Sequence, residues 1–290
     1  SHGQPFDVNV DGELDVVMAF GNRDALVPEE IHNVAWYESH TIQSSGLKLW
    51  QKHVVADFPS AFEAVAGDLD QDGDIDLVAS AHVNGDKLMW FENTGSPCQQ
   101  WKPHLLKDNW SAADQVVIVD LDQDGRLDIV TQFNLGVFGW LEQPEVANGS
   151  WQAHIIGEIH PDHVAAIQFV DVDGDGHKDI FIGGYSKGRR DTDVENNDYG
   201  RPLGRLAWFK KLDGTGENWQ RFDISRRIRG MFDEFVVRDI DDDGDLDIIG
   251  TRGNSGQFDG VFWLEQLRVK QPMANFTSSR LIDSPQVNLP

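Results

Sequence analysis

One acidic pattern returns five times along the 290 residues, and it constrains the chain more than any other feature. "DVNVDGELD" supplies Asp7, Asn9, Asp11, Gly12 and Asp15, and "DLDQDGDID" supplies Asp68, Asp70, Asp72, Gly73 and Asp76. "DLDQDGRLD" gives Asp120, Asp122, Asp124, Gly125 and Asp128. "DVDGDGHKD" gives Asp171, Asp173, Asp175, Gly176 and Asp179, and "DIDDDGDLD" gives Asp239, Asp241, Asp243, Gly244 and Asp247. Carboxylates this crowded repel one another by several kcal/mol unless protons or a cation neutralise them. A single acidic run is usually a solvated loop, but recurrence at fixed spacing is the mark of a repeat architecture. A hard cation such as Ca²⁺ takes six to eight oxygens, and the glycine lets the chain turn back around it. Positions one, three, five and nine are therefore expected to offer side-chain oxygens. Position seven (Glu13, Asp74, Arg126, His177, Asp245) is expected to offer its backbone carbonyl.

An EF-hand loop opens similarly but needs a bidentate Glu at its twelfth position and helices on both sides. Twelve from each first Asp stand Met18, Ala79, Thr131, Ile182 and Gly250. The following runs, "LDVVMAF", "IDLVAS", "LDIVTQF", "KDIFIGG" and "LDIIGT", are β-branched and of strand length. Each loop thus joins two strands, A and B. A strand C follows, marked by Trp36, Trp90, Trp140, Trp208 and Trp263. A strand D comes next, with Trp three residues before His or Phe in "WQKHVV", "WKPHLL", "WQAHII" and "WQRFDI". Motif starts at 7, 68, 120, 171 and 239 give the spacing of propeller blades.

The expected fold is all-β, a single five-bladed propeller over 1–290 with four antiparallel strands per blade. Its blades span 1–58, 59–109, 110–159, 160–227 and 228–283. "SHGQPF" offers the first blade no obvious apolar strand A. The tail 284–290 is expected to close the ring by pairing with the N-terminal blade, since an open ring leaves bare strand edges.

These residues resemble the FG-GAP/VCBS repeats of integrin-alpha-like and bacterial surface propellers, whose calcium loops follow DxDxDGxxD between the first two strands of each blade. The resemblance implies up to five calcium ions, one per blade. Asn9 departs from the pattern, so the first site is expected to bind calcium more weakly than the others.

The net charge of −25 disfavours nucleic acid and anionic lipid, which reward Lys and Arg. Five calcium ions would reduce it to about −15. No apolar run is long enough to span a membrane. The single Cys98 excludes an internal disulfide and reads as an incidental thiol. The opening Ser1 reads as a mature or trimmed product. Sequons at Asn109, Asn148 and Asn275, with loops suited to millimolar calcium, point to a secreted or cell-surface glycoprotein.

Recurring residues build the scaffold, so function is sought among residues that occur once. By this logic His53, His104 and His154 are structural. The loops after strand B are long in blades one and four, and long loops on rigid scaffolds carry function. The blade-four loop brings Lys187, Arg189, Arg190, Arg201 and Arg205 into an acidic protein, and Arg226, Arg227 and Arg229 follow. Candidate ligand-binding residues are Trp110, Gln132, Asn134, Arg189, Arg190 and Arg229, on the face opposite the metal loops. Two functions fit. One is carbohydrate or protein binding through these loops. The other is a polysaccharide lyase on uronic-acid glycans, with Arg252 neutralising the carboxylate and a base among His82, His160, His163 and Tyr185.

Overall fold

The computed structural model describes residues 3–21, 32–42, 44–81, 86–110, 114–134, 136–159, 162–185, 206–225, 231–253 and 260–266. They form five antiparallel sheets in chain order. The first holds β1 (Gly3–Phe6), β2 (Asp15–Phe20), β3 (Asn33–Ile42) and β4 (Leu47–Asp57). The second holds β5 (Ala61–Gly67), β6 (Asp76–Ala81), β7 (Lys87–Glu92) and β8 (Lys102–Asp108). β9 (Val116–Val119), β10 (Asp128–Asn134), β11 (Val137–Glu142) and β12 (Gln152–Glu158) make the third. β13 (His163–Val170), β14 (Asp179–Tyr185), β15 (Leu206–Lys211) and β16 (Trp219–Ser225) make the fourth. The fifth has three described strands, β17 (Phe235–Arg238), β18 (Asp247–Arg252) and β19 (Gly260–Leu264). The fold is therefore all-β, with five blades of the propeller type, each running through its strands in sequence order.

Burial explains the order within a blade. Strand B is a continuous apolar run, and all six residues of β6 are buried, as a strand covered on both faces requires. Strand D lies at the sheet edge and alternates exposed with half-buried residues in β8. It carries Lys102, Pro103 and Lys107, residues that blunt a free edge. A register shift falls just before the strand-C tryptophan in blades one, two and four, at Val34/Ala35, Leu88/Met89 and Leu206/Ala207.

One finding corrects the sequence reading. Blade one has its own strand A, because the polar stretch "GQPF" pairs with β2 from Gly3↔Met18 to Phe6↔Asp15. No strand joining the last blade to the first is seen among the described residues. β1 to β4 already give the first blade four strands of its own, and the tail 284–290 lies outside the described residues.

The chain divides into two compact units, Ser1–Asn134 with Gly139–His154, and Leu135–Phe138 with Ile155–Pro290. In the first, one core cluster joins Val17, Trp36, Phe58, Leu77, Phe91 and Trp101, and another joins Leu69, Trp90, Ile129, Leu141 and Trp151. In the second, Phe181, Leu206, Phe232, Phe235 and Ile248 pack together.

Candidate metal centres

All five acidic loops connect strands A and B, and their backbones repeat. Position six is a glycine at φ between 90° and 96°. Position four is also left-handed: Val10 (57°), Gln71 (60°), Gln123 (64°), Gly174 (74°) and Asp242 (60°). A Cβ at Gly12, Gly73, Gly125, Gly176 or Gly244 would meet nothing within 4 Å, so the torsion and not space selects glycine there.

The same hydrogen bonds hold each loop. Oδ2 of the first Asp accepts the N–H of the glycine at 2.9–3.1 Å. Oδ1 of the fifth residue accepts the N–H of position seven at 2.8–3.1 Å. The ninth residue is at most 1 % exposed in every loop. Its Oδ2 accepts the N–H of position two (Val8, Leu69, Leu121, Val172, Ile240) at 2.9–3.2 Å. Its Oδ1 accepts the N–H just past the strand-C glutamate or lysine (Ser39, Asn93, Gln143, Lys211, Gln266) at 2.8–2.9 Å. Asp15, Asp76, Asp128, Asp179 and Asp247 are thus structural staples that tie loop, strand B and strand C together. Each oxygen keeps a second lone pair for a cation.

Burial raises the pKa of Asp76 and of Asp128 to about 7, although two backbone N–H groups pull each down. Asp179 is raised to about 6 for the same reason, and Asp15 is raised as well. Desolvation, then repulsion by Asp72, raises Asp70. Desolvation raises Asp122, with repulsion from Asp124 and Glu142 adding to it.

Candidate ligand atoms lie within 4.8 Å of one another in the sets Asp68, Asp70, Asp76; Asp120, Asp122, Asp128; Asp171, Asp173, Asp179; and Asp239, Asp241, Asp243. In blades two and three, buried Oδ1 atoms of Asp68, Asp70 and Asp120 have no hydrogen-bond partner. An anionic oxygen buried without a donor is what a bound cation would satisfy, so these residues fit calcium. In blade one the Nδ2 of Asn9 donates to Asp11 and Glu38 at 3.2 and 3.1 Å, placing an amide where the others have a carboxylate.

A second repeated device escaped the motif reading. The strand-C tryptophan is followed two residues later by Glu38, Glu92, Glu142 and Glu265 in blades one, two, three and five. In the first three, the strand-D histidine stacks on the tryptophan: Trp36–His53 at 4.4 Å, Trp90–His104 at 4.2 Å and Trp140–His154 at 4.6 Å. Its Nε2 meets the glutamate at 2.5–2.8 Å. Glu38 bonds loop residue Asn9, and Glu92 and Glu142 act electrostatically on Asp70 and Asp122. The recurrent W-x-E in "AWYES", "MWFEN", "GWLEQ" and "FWLEQ" is the signal that marks them. Glu38, His53 and the exposed Cys98 also bring ligand atoms within 4.8 Å of one another.

Blade four departs from this scheme. Lys210 stands in the glutamate position and Phe222 in the histidine position, stacked on Trp208 at 4.7 Å. The Lys210 Nζ donates to Asp173 and lies 3.0 Å from Asp175. The His177 N–H, then Lys210, hold Asp175 below the usual carboxylate range.

Of the proposed ligand or catalytic residues, His82, His160, Arg189, Arg190 and Arg229 lie outside the described residues. Within the second unit, His163 opens β13 and pairs in register with Tyr185 at the end of β14. Tyr185 bridges to Met231, and Met231 to Gly253, which follows Arg252. These three residues therefore sit at the strand ends away from the acidic loops. In the first unit Trp110 stacks on Phe133 at 4.4 Å, with Lys107 over its ring. Gln132 is fully buried in β10, and Asn134 is exposed at its end.

No helix among the described residues is long and apolar enough to cross a membrane. None of the curated proteins compared with the chain matches it. The FG-GAP-like repeat family matches residues 68–131 and 171–250, just under half of the chain, and these two stretches contain the loops of blades two to five. Over those four loops the chain is similar to FG-GAP-like repeats.

Proposed function

We propose that the chain is a calcium-stabilised β-propeller binding module, secreted or at the cell surface, that engages a glycan or an extracellular protein through its non-repeating loops. The observation that carries this reading is the division of labour within each blade. The repeated chemistry, loop carboxylates and Trp–His–Glu stacks, goes into building the blade. The residues that occur once, among them His163, Tyr185, Arg252, Asn134 and Trp110, stand at the opposite strand ends. Rigid scaffolds present binding groups in that way. Calcium would supply charge neutralisation, held by Asp68, Asp70, Asp72 and Asp76 in blade two and by the equivalent residues of the other loops that take an ion. The unpartnered oxygens of Asp68, Asp70 and Asp120 support this assignment. The five blades are taken as one domain of 1–290, in which the tail 284–290 closes the first blade. The excess of acidic groups speaks against nucleic acid as a partner.

An array of neutral and uronic-acid glycans, probed in calcium and again after chelation, tests the reading. Calcium-dependent retention on a defined glycan class supports it, and absence of any retention counts against the glycan arm. The pairing of His163 with Tyr185, connected through Met231 and Gly253 to the Arg252 strand end, favours a second reading as a uronic-acid lyase. Ultraviolet absorbance from an unsaturated uronate during incubation separates the two, because a binding module leaves the polymer uncut.

A further inference from the structure

We propose that the fourth acidic loop is closed by a built-in ammonium. Lys210 neutralises Asp173 and Asp175 where the other loops take a metal ion, so blade four holds its corner without calcium. For the number of ions the inference rests on the calcium reading of the other loops; for the role of the lysine it does not.

Three observations carry it. The first is geometric: Nζ of Lys210 bridges the carboxylates at positions three and five, two of the expected ligands. A lysine ammonium offers three donors and one positive charge, compact enough to stand in for a cation between two carboxylates. The second is the state of the loop oxygens. Asp171 Oδ1 accepts the N–H groups of Gly174 and Asp175 at 2.7 and 3.1 Å, and its Oδ2 accepts that of Gly176 at 3.0 Å. Among the described residues neither Asp171 nor Asp179 has a buried oxygen without a hydrogen-bond partner, whereas blades two and three leave Asp68, Asp70 and Asp120 oxygens unsatisfied. The ligand positions of blades one and five show no such oxygen either, so the contrast is with blades two and three alone.

The third is a paired change of chemistry on strands C and D. Where blades one to three have glutamate bonded to histidine, blade four has Lys210 and Phe222. A histidine there would lose its acceptor. Phenylalanine keeps the stack on Trp208 without needing one. The two positions have changed together, in the sense that an internal cation requires.

Arg126 in blade three makes the contrast. Among the described residues it pairs with Asp124 alone, its Nε is committed to the Gln143 carbonyl at 3.1 Å, and Asp120 Oδ1 stays without a partner. That arginine flanks its site and leaves the centre open.

Native mass spectrometry of the full chain during calcium titration, together with melting in chelator, tests the proposal. Wild type should take up one ion fewer than it has loops. Lys210→Glu combined with Phe222→His, which restores the pattern of blades one to three, should gain one ion per chain. In chelator, Lys210→Met should lower the melting temperature by about 2–4 °C, and calcium should recover part of that loss. A wild-type count of five ions overturns the proposal and leaves the calcium reading intact. A count of zero overturns the calcium reading instead. The lysine is then judged by the chelator melt, where an Lys210→Met curve that overlays wild type overturns its role.

Discussion

Val10 is the residue under most local tension in the described loops. It is β-branched, yet it occupies the left-handed region at φ 57°, where blade four has Gly174. That conformation costs an L-residue about 1–2 kcal/mol. Val10→Gly should therefore stabilise the protein by about 1 kcal/mol, read as a rise in melting temperature. The ninth-position aspartates predict a pH dependence. Asp76 and Asp128 titrate at about 7 when folded without metal, against 3.8 for an ordinary aspartate. Between these values the folded chain holds protons that the unfolded chain has lost, so metal-free stability falls as pH rises from about 4 to about 7. Calcium should flatten or reverse that slope, because it binds the ionised form. Chelator-treated and calcium-loaded melts across this range check it; parallel curves would refute the linkage.

At the level of strands and loops, side-chain amides extend the staples from blade to blade. In the first unit Gln143 bonds the position-two carbonyl of Leu69 at 2.8 Å, and in the second Gln266 bonds that of Val172. Gln143→Ala leaves a buried carbonyl unpaired and should cost about 1–3 kcal/mol in urea unfolding. Gln143→Glu should be at least as harmful, since it sets a carboxylate against the same oxygen. The acidic loops and strand B were legible in the sequence because their chemistry is local: a run of carboxylates, a glycine at positive φ, then a β-branched run. The second role of Asp76 and its equivalents was not, because its Oδ1 partner lies seventeen residues on, at Asn93. Glu38, Glu92 and Glu142 were passed over because their approach to the loops depends on the register of strands B and C. β1 was hidden by its composition, since "GQPF" has no apolar alternation; it is placed by pairing with β2, by Phe6 packing against the core and by Gln4 Oε1 accepting the Ala66 N–H at 3.1 Å.

For the whole chain, the −25 charge sets the scale of what cations must offset. Chelation should lower the melting temperature markedly, and an unchanged melt would show that the loops hold no stabilising metal. Deleting 279–290 tests closure in the same assay. The tryptophans provide an independent view. Trp36, Trp90 and Trp140 are at most 1 % exposed. In blades two and three the strand-D indoles Trp101 and Trp151 are sealed as well, each donating to a loop carbonyl four residues back. Blade one replaces that loop with a tight hairpin at Ile42–Leu47, and Trp50 is left 49 % exposed; Trp263 is 46 % exposed. The molecule thus carries its own two-colour optical reporter. Iodide should quench the red-shifted emission of the open indoles and leave the blue emission of the sealed ones untouched, until a blade comes apart and the protected signal joins the accessible one.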